Sequence, residues 1–400
     1  INRNFDVYSG EEFAQLKREA YRTSNGGVYR SDDQVFTPLE LESVQSGKYI
    51  DWEKLVLRTG VTNNHSLSIS SGTDKTSIFS SINYINTSGV VPNSDYEKVA
   101  MRVNVDQRVT DWLKIGMNVS LQFSESNRPN VGNILNNAIN TSPLGQVYNP
   151  DGSFRYLPGG IQETPNPLID VYETTTNELN RNDIMNVFLD INLAKGFTYK
   201  LNASRRSWNF KAMNFNTSKS LSGIANSGQG SGYIEYKDNV EYQLSNILHY
   251  NFNLAEKNHF NATGVYEITS SEYNDFKNSA SRIPSDILGI YGLESAFLNT
   301  PLIGGNERSL ISFAGKLEYD FDNKYYFTVS GRADGSSVFG ANNKWGFFPA
   351  VNAAWNVTNE EFMKEHVPVL SNLKLRASYG KVGNQPKDPY QSMATATQRD

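Results

Sequence analysis

An alternation of apolar and polar residues with a period of two recurs along this chain from about Asn64 onward. In residues 113–123 every second side chain is apolar, and the positions between them hold lysine, glycine or uncharged polar groups. Residues 311–321 repeat the pattern, with lysine and glutamate on the polar side. Strict alternation places one face of an extended strand in an apolar medium and the other in a polar medium. The pattern therefore predicts an all-β chain whose strands separate two media.

The predicted strands are long. Strands of soluble domains usually run about five or six residues, whereas several here reach about ten to twelve. A strand of about 11 residues tilted by about 40° covers roughly 27 Å, close to the apolar band of about 25 Å in a membrane barrel. We therefore expect a transmembrane antiparallel β-barrel, of which this chain supplies about a dozen strands. They cover residues 64–69, 78–84, 99–105, 113–123, 185–193, 197–205, 242–254, 260–268, 311–321, 325–334, 345–355 and 373–379.

The connections between these strands alternate in length, which is typical of outer-membrane barrels with short periplasmic turns and long extracellular loops. The short connections are residues 71–75, 107–111, 195–196, 255–258 and 322–323. The long connections are residues 86–96, 124–181, 211–233, 276–309 and 335–343. Residues 356–372 are the exception, being long in the short series. There we predict a small helix that is capped by Thr358, with Glu361 as the reciprocal partner.

The N-terminal part has a different pattern. Ser9 followed by Glu12 predicts a helix start with a capping box. We predict that residues 1–60 hold the end of a first strand and an extracellular loop with a short helix, and that residues 61–400 hold barrel strands and loops. No apolar export signal opens the chain and no terminal signal ends it, so we expect a fragment or a processed form of a protein and not a complete product.

Composition supports a barrel over other classes. Mean hydropathy is negative and no apolar run is long enough for a membrane-spanning helix, yet 12% of residues are aromatic. A barrel explains both, because only alternate strand residues meet lipid and aromatic residues gather at the two interfaces. A net charge of −5 without a long basic run argues against a nucleic-acid partner. With no cysteine, disulfides and thiolate sites are excluded.

We find no pattern for a catalytic, metal or cofactor site, and so predict that the protein is not an enzyme. The four histidines lack metal-ligand spacing, and no Gly-x-Ser-x-Gly segment is present. Residues 320–324 resemble a calcium loop superficially but lack its glycine and glutamate, so a tight turn is the better interpretation. The glycine-rich residues 228–232 are interpreted as a flexible loop. An outer-membrane barrel hydrolase remains a weaker alternative.

Aromatic residues that we place in the long loops are candidates for binding a ligand, because flat apolar rings stack on sugar rings. The competing interpretation assigns them to the interface girdle or to loop packing. The candidates are Tyr148, Tyr156, Trp208 and Tyr233. Pro349 lies inside a predicted strand, where its missing N–H leads us to expect a β-bulge.

Several motifs, in order along nearly the whole chain, resemble the SusC/RagA family of TonB-dependent outer-membrane transporters of Bacteroidota. The C-terminal motifs are RADGSSVF at residues 332–339, WGFFPA at 345–350 and LKLRASYG at 373–380. Earlier ones include Asp51-Trp52, residues 64–70 (NHSLSIS) and Ser142-Pro143-Leu144. The most specific match is the signature formed by Arg332, Asp334, Gly335, Ser336 and Ser337.

The resemblance implies a barrel of about twenty-two strands with a plug in its lumen, located in the bacterial outer membrane. It also implies import of an oligosaccharide or a peptide, a SusD-like surface lipoprotein as a lid, and TonB acting through the plug. The plug and the final strands are not among these residues. The alternative from another class is a surface glycan-binding, β-rich adhesin that does not transport.

Overall fold

The computed structural model describes residues 6–161, 164–340, 342–384 and 390. Its strands form one 12-stranded antiparallel sheet, and each strand pairs with its neighbours in the sequence. In the described residues the sheet is open, with the first and last strands at its edges. The predicted dozen antiparallel strands is confirmed. The strands are β1 Val61–Gly72, β2 Thr76–Ser88, β3 Asp95–Arg108, β4 Leu113–Asn127, β5 Thr174–Ala194, β6 Phe197–Asn216, β7 Gly230–Leu254, β8 Asn258–Ile283, β9 Leu298–Phe321, β10 Tyr325–Ser336, β11 Trp345–Asn356 and β12 Lys374–Gly380.

Short and long connections alternate as predicted. The short turns are residues 73–75, 109–112, 195–196, 255–257 and 322–324, and the long loops are 89–94, 128–173, 217–229, 284–297 and 337–344. We call the two ends of the strands the turn end and the loop end. Asp322 and Asn323 have φ values of 56° and 53°, so residues 320–324 form the predicted tight turn. Gly196 has a φ of 75°, and a Cβ there would lie 2.1 Å from the carbonyl oxygen of Asn251.

The strands β5 to β9 extend farther toward the loop end than we predicted. β7 has 25 residues and β8 has 26, so much of residues 211–233 and 276–309 is strand and not loop. Alternation marks a strand only where its two faces meet different media. Beyond the apolar band both faces meet water, and this part of each strand carries no such signal.

The helices lie in the connecting segments. They are α1 Gly10–Ser24, α2 Asp32–Val35, α3 Pro38–Ser46, α4 Trp52–Val56, α5 Val131–Asn140, α6 Leu168–Tyr172, α7 Leu221–Ala225 and α8 Glu361–His366, with two short 3-10 helices at Gly289–Ser295 and Val357–Asn359. None of the described helices is long and apolar enough to cross a membrane. The N-terminal segment therefore holds four helices where we expected one. The end of a first strand was also predicted within residues 1–60. The described residues before α1, 6–9, are not in a strand, and residues 1–5 lie outside the described residues.

Two predicted helix caps have different outcomes. Ser9 and Glu12 form the expected capping box of α1. Thr358 does not cap α8, because that helix begins only at Glu361. Thr358 instead lies in a 3-10 turn and donates a hydrogen bond to Asn356 Oδ1 at 2.9 Å. The helix itself is present where we expected it, within the long connection of the turn series.

The bulge predicted at Pro349 is absent. Pro349 pairs with Gly331 in an unbroken register between β10 and β11. In an antiparallel sheet the N–H and C=O of one residue point to the same neighbouring strand. The carbonyl oxygen of Pro349 accepts a bond from Lys381 N at 2.9 Å, so the missing N–H points past Gly380, where β12 ends. The β10–β11 ladder therefore loses no hydrogen bond.

Two of the three buried hydrophobic clusters of the described residues lie in the helical segments. The third lies at the loop end, where Phe215 of β6 and Ile283 of β8 pack against Leu293 of the first 3-10 helix. Residues 10–56 and 131–172 pack together through two clusters, one around Trp52 and Ile134 and one around Phe36 and Leu144. We call this part the helical unit. It is built from two segments far apart in the sequence, which the β1–β4 strands separate.

Candidate functional site

The strand registers sort the sheet into two faces. Leu113, Ile115, Met117 and their cross-strand partners define the apolar face, and the alternate positions define the polar face. On the apolar face Phe313 is 50% exposed and Leu317 is 46% exposed. Among the described residues no second layer covers them. This arrangement is expected of a sheet whose apolar face contacts molecules other than this chain.

An aromatic row crosses the apolar face at the turn end. Phe252 and Phe260 stack with ring centroids 4.9 Å apart, and Phe260 stacks on Tyr319 at 4.7 Å. The row runs through Phe197, Tyr250, Phe252, Phe260, Tyr319 and Phe327. Barrels place such girdles at the membrane interface, where amphipathic rings such as tyrosine have an apolar body and a polar edge.

One carboxylate at the turn end, that of Glu360, has three polar partners. Glu360 accepts hydrogen bonds from the Tyr325 hydroxyl at 2.5 Å and the Trp355 indole N–H at 3.1 Å, and Lys324 lies 3.2 Å away. These donors, chiefly Tyr325, hold the pKa of the Glu360 carboxyl below its ordinary value. Tyr325 and Trp355, whose rings stack with centroids 6.3 Å apart, are thereby oriented toward the turn.

The polar face carries a network centred on the signature residue Arg332. Its Nε donates to Asp334 at 2.7 Å and its Nη2 donates to Ser312 Oγ at 2.9 Å. Glu267 lies 3.8 Å from the same guanidinium. We call this group, together with the residues of the next paragraph, the Arg332 network.

The network continues from Glu267 onto one further strand, β7. Glu267 accepts hydrogen bonds from Gln243 at 2.7 Å and from Ser245 at 2.8 Å. Ser245 and Ser312 are almost completely buried among these partners. The Arg332 network therefore ties β7, β8, β9 and β10 together on the polar face and presents charge there.

The rest of the signature shapes the strand end. A Cβ on Gly335 would lie 2.8 Å from the indole ring of Trp345, so a larger residue would displace that ring. Ser336 is buried. Ser337 exchanges two hydrogen bonds with Ser309, each at 2.9 Å, one step beyond the end of β10. The signature thus combines a charged pair on the polar face with tight packing and hydrogen bonding where β10 ends.

A second cluster on the polar face was not predicted. The ring of Phe188 lies 5.5 Å from Lys114 Nζ and 4.7 Å from Lys200 Nζ. A Cβ on Gly116 would lie 2.1 Å from this ring, so the glycine allows Phe188 to lie across β4. The signal in the sequence is a phenylalanine out of phase with its apolar neighbours Val187 and Leu189.

The four aromatic candidates fall into two groups. Tyr148 and Tyr156 lie in the long connection of residues 128–173, as predicted, and are exposed. Tyr148 stacks on Phe154 at 5.5 Å, and Phe154 stacks on Tyr172 at 5.5 Å. These rings form a partly exposed aromatic stack on the helical unit.

Trp208 and Tyr233 do not lie in loops, which corrects our prediction. Trp208 is in β6 and Tyr233 in β7, in the parts of these strands that extend beyond the apolar band. Both face the polar side. Trp208 donates to Asn180 Oδ1 at 3.3 Å, and Lys277 Nζ lies 4.1 Å from the Tyr233 ring. The structure brings these two residues to the same face as Arg332 but not to Tyr148 or Tyr156.

The helical unit joins two of the resemblance motifs. The Trp52 indole N–H donates to the carbonyl oxygen of Ser142 at 2.9 Å. Gly145 donates its N–H to Ser43 Oγ at 2.9 Å, and its φ of 114° and the nearby Pro158 carbonyl leave no room for a side chain. These bonds connect the N-terminal segment to the β4–β5 connection.

One carboxyl in this unit is perturbed by its surroundings. Burial raises the pKa of Asp170 above its ordinary value, and a hydrogen bond of 2.5 Å from Asn133 partly opposes this shift. Among the described residues no group of three or more histidine, cysteine, aspartate or glutamate side chains could hold a metal ion.

Comparisons with known proteins place these features in a family. The family model described as "TonB dependent receptor-like, beta-barrel" matches residues 120–399. "TonB-dependent receptor P26" of Formosa agariphila is 31% identical over 350 residues, which are 86% of this chain and 34% of the relative. "TonB-dependent receptor SusC" of Bacteroides thetaiotaomicron is 25% identical, over 94% of this chain and 39% of the relative. This chain thus spans somewhat over a third of the length of these relatives.

Among solved structures, the RagAB peptide importer in its "closed-closed" state is similar in fold. The TM-score is 0.75 at 21% sequence identity, and the match covers 96% of this chain and 46% of that chain. The "open-open" state of the same importer gives a TM-score of 0.74 over 94% of this chain.

Proposed function

Because this chain belongs to the TonB-dependent receptor-like β-barrel family, we propose that it forms part of the wall of an importer that carries oligosaccharides or peptides across the outer membrane. The observation that carries the proposal is one sheet with an exposed apolar face and a charged opposite face. Lipid offers no hydrogen-bond partners, so a spanning sheet is stable only when its edges are paired. In our proposal further strands of the full-length receptor pair with β1 and β12. The polar face then lines the lumen.

The proposed cargo path runs along the polar face. Trp208 and Tyr233 lie on it beyond the apolar band, where a ligand arriving from outside would pass them before reaching the Arg332 network. Aromatic rings with adjacent amide and ammonium groups suit both sugar rings and peptide side chains. No covalent chemistry is required of these residues. Selective passage needs only binding and release.

We propose two partners. A SusD-like surface lipoprotein would close the loop end, where Tyr148 and Tyr156 of the helical unit are exposed. TonB would act from the periplasm through a plug that occupies the lumen. The structurally similar RagAB is a peptide importer. For this chain, oligosaccharide and peptide remain the two proposed cargo classes.

Uptake by a deletion strain that carries the full-length receptor tests the ligand path. We expect Tyr233→Ala and Trp208→Ala to reduce uptake of the cognate oligosaccharide or peptide several-fold, because each removes a ring from the lumen wall. Tyr236→Ala is the matched control, since Tyr236 lies in the same strand as Tyr233 on the opposite face and is exposed. Equal loss in Tyr233→Ala and Tyr236→Ala would contradict the proposed path.

Dependence on TonB separates the importer from the adhesin. An importer loses uptake when TonB is deleted and keeps surface binding. Glycan binding with no uptake in the presence of TonB would favour the adhesin.

A further inference from the structure

Charged residues appear on the apolar face at one end only. On β5 the outward positions Leu189, Val187 and Met185 are followed, in the same phase, by Asp183 and then by a second charged residue, Arg181. On β6 the outward position opposite Met185 is Arg205. The apolar band therefore ends at these residues on the loop side. We call Arg181, Asp183 and Arg205 the outer-edge cluster.

The outer-edge cluster contains two guanidinium groups and one carboxylate. Arg181 Nε lies 2.9 Å from Asp183, whose side chain is almost completely buried. The Arg181 guanidinium lies 5.2 Å from the ring of Phe123, and that of Arg205 lies 6.0 Å from the ring of Tyr242. Within the described part of the chain no carboxylate forms an ion pair with Arg205. The cluster has one positive charge more than its own carboxylate balances.

The turn end differs in kind. Among the described strand residues, the outward positions there are aromatic, aliphatic or uncharged, as in the aromatic row. Further acidic residues on the outward face lie beyond Phe123, Tyr242 and Ile311, on the loop side of their strands. They are Asp95, Glu97, Glu125, Asp238, Glu272 and Glu307. In the described structure none of them forms an ion pair with an arginine of the cluster. In the proposed orientation the charged outward residues therefore lie near the outer leaflet of the membrane, and the uncharged outward residues lie near the inner leaflet.

A guanidinium at the edge of a hydrocarbon layer is costly unless an anion pairs with it. Arginine binds phosphate through two parallel N–H bonds, more strongly than it binds uncharged acceptors. An aromatic ring beside each arginine supplies an apolar surface for the carbon skeleton that carries such a phosphate. The headgroup layer of the outer leaflet is the source of anions at this depth.

We propose that Arg181 and Arg205 bind a phosphate group of an outer-leaflet glycolipid of the lipid A type. Phe123 and Tyr242 contact the sugar and the adjoining acyl carbons, and Asp183 positions Arg181. The site lies on the outside of the wall and takes no part in the cargo path. Lipid binding at this site can therefore be tested independently of what the receptor imports.

The test uses the full-length receptor in phosphatidylcholine nanodiscs, titrated with lipid A that retains its phosphates and with lipid A from which they have been removed. We expect the double variant R181Q/R205Q to bind phosphorylated lipid A at least about tenfold more weakly than the wild type, because charge-assisted bonds are lost. R206Q is the matched control. Arg206 is the next residue, faces the lumen and pairs with Glu241 at 3.6 Å, so its loss leaves lipid A binding unchanged.

Three results would overturn the proposal. The double variant could bind phosphorylated lipid A as tightly as the wild type, or dephosphorylated lipid A could bind equally well. Displacement of lipid A by millimolar inorganic phosphate would show a site for free anions. A heat-dependent shift in gel mobility verifies that each variant forms a folded barrel before it is titrated.

Discussion

At the scale of single residues, close contacts on the polar face leave little space for larger side chains. Gly116 is required because the ring of Phe188 occupies the place of a side chain, and that ring lies between two lysines that pair with Asp106 and Asp190. A phenylalanine out of phase in an alternating strand marks such a site in the sequence. Its glycine partner cannot be found without the register, because the partner lies on another strand far along the chain.

We expect Gly116→Ala to lower the midpoint of thermal unfolding of the detergent-solubilised receptor, at a cost of about 1–3 kcal/mol, because the added methyl group displaces the Phe188 ring. Gly264→Ala is the control. It lies in β8, where no atom is within 4 Å of the place that a Cβ would occupy. An equal decrease of the midpoint in both variants would show that replacing a β-strand glycine lowers stability whether or not a ring lies close to it.

The raised pKa of Asp170 has a consequence for pH. A carboxyl whose pKa is higher in the folded state stabilises the fold below its unfolded pKa of about 3.9, and this contribution is lost as pH rises through the folded value. In Asp170→Asn the side chain does not ionise, so the fold does not lose this stability as the pH rises. We expect amide hydrogen exchange in α5 to be slower in Asp170→Asn than in the wild type at pH 7, with no difference near pH 3.

Asp151→Asn is the control of opposite sign. Hydrogen bonds from the Ser153 side chain and backbone lower the pKa of Asp151, so its ionised form is the stabilising one at pH 7. Slower exchange in Asp151→Asn at neutral pH would contradict the assignment of these shifts to burial and hydrogen bonding.

At the scale of elements, prediction succeeded where the two faces of a strand meet different media. The strands β4 and β11 and the inner half of β9 were placed where their apolar faces alternate, and the alternation of short and long connections was confirmed. The outer halves of β7 and β8 were missed because water surrounds both their faces. The helical unit was also missed, since its core joins segments separated by four strands and only Ser9 and Glu12 gave a local signal.

Trp52 connects the two segments of the helical unit. Trp52→Ala removes a buried ring and leaves the Ser142 carbonyl without its donor. We expect a cost of about 3–5 kcal/mol to the unit, from the cavity and the lost bond. Limited proteolysis of the intact receptor would then cut within residues 128–173 much faster than in the wild type.

Trp112→Ala is the control, because Trp112 lies in a turn and is 53% exposed. Equal resistance of both variants to the protease would show that the unit is held by other contacts.

At the scale of the whole molecule, family membership confirms the predicted resemblance to SusC/RagA, the barrel class and the outer-membrane location. The whole-chain pattern of apolar, girdle and polar positions was predictable because lipid imposes it on every strand. The roles of Tyr148, Tyr156, Trp208 and Tyr233 stay predictions, since ligand specificity depends on loops and rims that no periodicity constrains.

Fractionation tests the membrane assignment directly. We expect the full-length protein to remain in the outer-membrane pellet after an alkaline carbonate wash, because the apolar face is in hydrocarbon and not held by charge. Release into the wash, or recovery in an extract made without detergent, would contradict a spanning wall and favour the adhesin.

The long registers of the sheet determine how such a wall bears load. β7 and β8 stay paired from Gly230 opposite Ile283 to Leu254 opposite Asn258. A pull along the barrel axis strains these bonds mostly in shear, so they share the force and do not open one after another. A wall paired over this length therefore keeps its shape under a pull in that direction.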